Sequence, residues 1–116
     1  IRVGLTAPLE IIDQRLARRS AEQVARGLVA ETQDALDAGV PATAAVLSGI
    51  GYAEALAHIR GELSLVELPR AMAASNRRYA RRQLRWWRHD ARVRWFETSL
   101  KMGPDPMPGI LNYLNE

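Results

Sequence analysis

The chain contains no cysteine. That excludes disulfides, thiol nucleophiles and cysteine-ligated zinc, and it fits a reducing compartment. Long hydrophobic runs are missing too: charges interrupt every apolar stretch well short of the roughly 20 residues a membrane span needs, so no membrane partner is expected. No signal-peptide pattern opens the sequence, and a cytoplasmic protein is expected. The only histidines, His58 and His89, lie far apart without a second ligand at metal spacing, so neither a metal centre nor a histidine base is read here. Glu10, Glu54 and Glu62 fall at ordinary helix-surface positions and form no acid–base pair. Neither G-x-G-x-x-G nor G-x-x-x-x-G-K-[ST] occurs, and there is no internal repeat or low-complexity tract.

What is present is arginine, unevenly spread. Over 116 residues the formal charge is only +3, yet Arg70 to Arg94 carries nine arginines against one acid, Asp90. Asn76 to Arg88 alone holds six arginines with Tyr79, Trp86 and Trp87 among them. On a helical wheel Arg77, Arg81, Arg85, Arg88 and Arg92 share one face, while Met72, Tyr79, Ala80, Gln83, Leu84 and Trp87 fall toward another. Like charges at this spacing repel, so the row is disfavoured unless an anion lies against it. Guanidinium forks match phosphate oxygens, and aromatic faces take unstacked bases, which makes RNA the first partner to consider. The competing reading is a solvated face met by acids from neighbouring helices, with Trp86 and Trp87 in the core. Gln83, as an amide within an apolar face, needs a base or backbone partner.

Alternation of Ile1, Val3 and Leu5 with Arg2 and Gly4 predicts a half-buried strand. Thr6 and Pro8 predict a helix start, with Gly27 as a break and Gly39 as a stop between two consecutive helices. A short helical turn is expected over Ala44 to Leu47, then a Gly49-Ile50-Gly51-Tyr52 turn, which by itself reads as a tight helix entry with Tyr52 packed. A helix over Tyr52 to Arg60 follows, then a segment capped by Ser64 that runs into the arginine-rich helix as far as about His89. Val93 to Phe96 predicts a closing strand, set beside the first. Beyond Thr98 a Pro/Gly loop precedes a short helix over Ile110 to Leu114. The fold class expected is mainly α with two short strands. Arg15, Arg18 and Arg19, with Asp13 and Glu22 nearby, read as a surface ion-pair face in which nothing local singles out one arginine.

Taken in order, the opening strand, the helix pair, the G-I-G-Y turn, the Ile59-Arg60-Gly61-Glu62 helix end and the R-R-Y-A-R-R-Q-L-R-W-W-R block resemble the bacterial tRNA dimethylallyltransferase family. The resemblance covers Ile1 to about Glu97, with the tail 98–116 matching weakly. Its most specific part is the last block, which in the family reads T-R-x-Y/L-A-K/R-R-Q-x-T-W-F/L-R. Here Asn76 and Arg85 stand where threonines are usual, Trp87 where Phe or Leu is common, and Ala53 where a longer side chain is common.

The resemblance implies transfer of a dimethylallyl group from dimethylallyl diphosphate, carried with magnesium (Mg2+), to the exocyclic amine of adenosine 37 beside the anticodon. It implies tRNA contacts from Ser48, Gly49, Ile50, Gly51, Tyr52 and Ala53. The same is implied for Arg77, Arg81, Arg82, Gln83, Leu84, Arg85, Trp86, Trp87 and Arg88. Arg19 falls on the family's diphosphate-steadying arginine. The family's P-loop and its general-base aspartate precede the matching region. The chain is therefore expected to be the C-terminal part of a P-loop-type α/β enzyme, inactive without the N-terminal half that would be its partner along with the tRNA anticodon stem-loop. A monomer is expected. The rivals are a non-catalytic basic helical nucleic-acid-binding module and an interaction domain docking its tryptophan-rich helix on an acidic protein.

Overall fold

The computed structural model describes residues 1–98 and 105–116. Its elements run β1 (Arg2–Thr6), α1 (Leu9–Ala25), α2 (Leu28–Asp37), a 3-10 turn (Ala45–Ser48), α3 (Tyr52–Ile59), α4 (Glu67–Arg88), β2 (Val93–Glu97) and α5 (Met107–Leu114). The protein is mainly α with two short strands, as its periodicities require. It divides into two compact units, Arg15–Arg78 and Ile1–Gln14 with Tyr79–Glu116, and α1 and α4 each contribute residues to both.

Residues Arg15–Arg78 hold the well-packed core: Leu47, Ala55, Leu56, Leu68, Met72 and Ala73 are all buried. Leu68 and Met72, four residues apart on α4, are completely enclosed. The start of α4 is fixed by a reciprocal cap. The Glu67 N–H donates to Ser64 Oγ at 3.1 Å, and the Ser64 N–H donates to Glu67 Oε2 at 2.9 Å. Pro69 then sits in the first turn, where a missing N–H breaks no helical bond. Thr32 is buried but donates to the Leu28 carbonyl at 2.8 Å. Gly27 separates α1 from α2 and Gly39 follows α2, both with positive φ, at the predicted break and stop.

In the other unit β1 and β2 pair in parallel, with Arg2 opposite Val93 and Thr6 opposite Glu97. The Thr98 N–H extends the ladder by donating to the Thr6 carbonyl at 2.7 Å. Gly4 lies against the Trp95 indole: a Cβ there would come within 2.5 Å of a ring atom. Only glycine lets that ring lie over the strand. Phe96 meets α5, with its ring 6.3 Å from that of Tyr113, and the Arg94 guanidinium sits 4.8 Å from the Tyr113 ring.

Several elements differ from their expected form. Ile1, Val3 and Leu5 are 85%, 38% and 56% exposed rather than half-buried, and no described residue of this unit is fully buried. A sheet of only two strands is too small to bury that face by itself. Thr6 ends the strand and caps nothing; α1 begins instead over the Pro8 carbonyl, which accepts from the Ile11 and Ile12 N–H groups. The 3-10 turn lies at Ala45–Ser48, one residue later than expected. The last helix begins at Met107, because Pro106 and Pro108 are tolerated in a first turn and Asp105 Oδ1 accepts the Met107 N–H at 2.9 Å. The rest of the expected Pro/Gly loop, at 99–104, lies outside the described residues.

Candidate nucleic-acid interface

From Pro69 to Arg88 α4 has no further glycine or proline and is rich in alanine and arginine, so it continues unbroken through the basic block. In its last turns Arg82, Gln83, Arg85, Trp86, Trp87 and Arg88 are exposed, while Arg81 and Leu84 are half-buried. Trp86 is 78% and Trp87 40% exposed, which overturns a core role for either. Gln83 likewise faces solvent and belongs to no apolar face.

The acid-from-a-neighbour reading holds at one position. Arg81 donates through Nη1 and Nη2 to the two carboxylate oxygens of Asp13 at 3.1 and 3.0 Å. That hydrogen-bonded pair raises the guanidinium pKa above its ordinary value. Asp13 therefore holds one side of the guanidinium, and a phosphate must either displace it or take the N–H groups that remain. Arg82 stacks over the Tyr79 ring at 5.8 Å, and Arg82, Arg85 and Arg88 meet no carboxylate among the described residues. Arg77 is half-buried on the part of α4 belonging to the Arg15–Arg78 unit.

Arg92 does not extend the row, because the helix ends at Arg88. It turns back on Asp90, donating to it from Nε at 2.8 Å, from Nη2 at 2.9 Å and from its own backbone N–H at 3.0 Å. Arg2 Nη1 adds a fourth donor at 2.6 Å, and the Arg2 Cζ lies 5.8 Å from the Trp87 ring centroid. These contacts, Arg92's first, hold the Asp90 carboxyl well below the usual carboxylate range. The only signal for this hub in the sequence is that one acid stands among nine arginines.

The G-I-G-Y turn is built differently. Ser48 Oγ donates to the Ala45 carbonyl at 2.6 Å, closing the 3-10 turn. Gly51 then adopts φ 101° and ψ −61°, with its N–H donating to Glu54 Oε2 at 2.8 Å. Side chains are excluded from such a conformation, so this position requires glycine. Gly51 is buried, within reach of Met72 and Leu28, whereas Ser48, Gly49, Ile50 and Ala53 are exposed. Tyr52 is half-buried; its hydroxyl donates to Glu31 Oε1 at 2.7 Å, and the carboxylate raises the phenol pKa.

Between this turn and the start of α2 lies a cleft of about 270 Å³ whose lining includes Gln23, Arg26, Glu31, Ile50, Gly51 and Tyr52. Gln23, Arg26 and Glu31 carry no sequence signal, because they approach Tyr52 only through the fold. Arg19 is exposed on α1 and does not line this cleft, and Arg18 pairs with Glu22 at 2.9 Å. Among the described residues no group of three or more His, Asp or Glu could hold a metal ion. No helix among them is long and apolar enough to cross a membrane.

A sequence profile of the IPP transferase family (IPPT) matches residues 1–90. The chain belongs to this family. Among the relatives of this chain, the tRNA dimethylallyltransferase of Desulfitobacterium hafniense is 43% identical over 96 residues, 83% of this chain and 31% of the relative. That of Geobacter metallireducens is 39% identical over 97 residues, 84% of this chain and 31% of the relative. The crystal structure of the full-length tRNA isopentenylpyrophosphate transferase from Bacillus halodurans superposes with a TM-score of 0.84 at 30% identity, covering 99% of this chain and 37% of that one. The chain thus spans about a third of the length of the relatives it matches.

Proposed function

We propose that this chain grips the anticodon stem-loop of a tRNA for transfer of a dimethylallyl group from dimethylallyl diphosphate to N6 of adenosine 37. The observation that carries the reading is the exposed end of α4. There Arg82, Arg85 and Arg88 lack acidic partners among the described residues and Trp86 projects into solvent, a surface suited to phosphates and unstacked bases. Ser48 to Ala53 supply a second contact whose backbone is fixed by Gly51. The names of the relatives support the substrate class.

In the reaction the adenine amine forms a bond to C1 of the dimethylallyl group as the C–O bond to diphosphate breaks, and the amine proton passes to a base. Arg19, exposed on α1, is the residue assigned to the departing diphosphate, where a fixed cation offsets developing negative charge. The diphosphate cradle and the base belong to a P-loop α/β portion acting with this chain. The uncovered Val3 and Leu5 on a parallel strand support that assignment, since parallel sheets work buried on both faces. Magnesium would travel with the diphosphate. A cytoplasmic monomer fits this role.

The test is to give the full-length protein labelled dimethylallyl diphosphate and a stem-loop with adenosines at 36 to 38. Label in adenosine 37 is the expected result. A stem-loop that binds yet stays unlabelled would leave only a non-catalytic RNA-binding module.

A further inference from the structure

The cleft beside Tyr52 has a lining that RNA phosphates alone do not explain. A surface made only for a polyanion would be cationic, yet Glu31 places a carboxylate there. Its Oε1 is taken by the Tyr52 hydroxyl at 2.7 Å, which leaves Oε2 to accept from something else. The Gln23 amide and the Arg26 guanidinium, in the same lining, make no side-chain hydrogen bond or ion pair among the described residues. The cleft therefore offers one unused acceptor that cannot donate, one amide that can do both, one cation and the face of a phenol ring.

At about 270 Å³ the cleft falls below the usual range for drug-sized ligands, so a whole nucleoside diphosphate is too large, whereas a single planar base fits. Bases out of the stack are recognised by stacking on aromatic rings and by hydrogen bonds to their edges. A carboxylate accepts from exocyclic amines and repels carbonyl oxygens, which disfavours uracil. Arg26 offsets the acid's repulsion of the attached phosphate.

We infer that this cleft is a subsite for one unstacked loop nucleotide other than the acceptor adenosine, reading a base with an exocyclic amine through Glu31 and Gln23 and its phosphate through Arg26. The inference rests on the anticodon stem-loop being the substrate. Tyr52 supplies the stacking face, held in place by the same Glu31 that reads the base, and Gly51 fixes the turn that carries it.

Glu31→Gln separates recognition from folding. Its amide oxygen still accepts from Tyr52, while its new NH2 donates where the carboxylate accepted. The experiment measures binding of the full-length protein to stem-loops that differ at a single loop position, each position outside the three adenosines being set in turn to A, C, G or U. The wild-type protein is expected to lose roughly tenfold in affinity when one particular position becomes uridine, and Glu31→Gln to erase or reverse that preference at the same position. Gln23→Ala is expected to shrink it without altering the melting temperature. Tight binding with no base preference at any position, or a preference that Glu31→Gln leaves unchanged, overturns the subsite and leaves the stem-loop reading intact. Failure of the wild-type protein to bind any of these stem-loops overturns both.

Discussion

Replacing Gly51 with alanine tests the link between backbone conformation and RNA contact. At φ 101° and ψ −61° an alanine is strained wherever its Cβ points, while the space itself is ordinary: Met72 Cε would lie 3.8 Å away and Leu28 Cδ2 3.9 Å away. The cost is thus a backbone cost, on the order of 1–3 kcal/mol. For a domain near 100 residues this lowers the melting temperature by on the order of 10 °C. Gly61 provides the control. Its φ is +81°, an alanine Cβ there would meet nothing within 4 Å, and it lies at the end of α3 away from the turn. Gly61→Ala therefore carries a backbone cost of about 1–2 kcal/mol without moving Ile50 or Tyr52. Calorimetry and stem-loop binding on both variants should show comparable melting losses, with RNA affinity falling only for Gly51→Ala. Wild-type melting for Gly51→Ala would mean that the turn is not built this way. Equal affinity losses in both variants would remove the turn from the interface.

Three further outcomes follow from the same geometry. Met72→Ala, emptying a fully enclosed site on α4, should cost about 2–5 kcal/mol by denaturant unfolding, and a loss under about 1 kcal/mol would show that the core lies elsewhere. Because the Asp90 carboxyl is held below its ordinary range, its pairing with arginine stabilises the fold fully above about pH 4, and that stability disappears as the pH falls further. Asp90→Asn should therefore weaken the fold at neutral pH and flatten the acid limb of a stability-against-pH curve; an unchanged limb contradicts the hub. Arg19→Ala in the full-length protein should lower kcat for prenyl transfer while leaving tRNA affinity largely intact, and unaltered kinetics would remove Arg19 from the site.

Helices were legible where periodicity and punctuation agree. The gap between α1 and α2 at Gly27, the stop at Gly39 and the Ser64 cap all reflect local chemistry that needs no distant partner. The pairing of β1 with β2 was also foreseen, but the exposure of Val3 and Leu5 was not, because alternation reports two faces without saying whether either is covered. Within the arginine row, spacing alone could not tell Arg81, whose fork is held by Asp13 from 68 residues away, from Arg85, which meets no acid among the described residues. Arg92 was misplaced because a wheel continues past the point where the helix stops. Glu31, which holds Tyr52 across 21 residues, had no local sign at all.

The central claim is that the arginines left without acids at the end of α4 are neutralised by RNA. Its most direct test is the slope of log affinity against log salt for stem-loop binding by the full-length protein. Replacing Arg82, Arg85 and Arg88 together with alanine should flatten that slope by about 0.7–0.9 for each phosphate that no longer meets a guanidinium. Arg81→Ala should change it less than any one of those three, since Asp13 already holds one side of its guanidinium. A triple variant that keeps the wild-type slope would contradict the account.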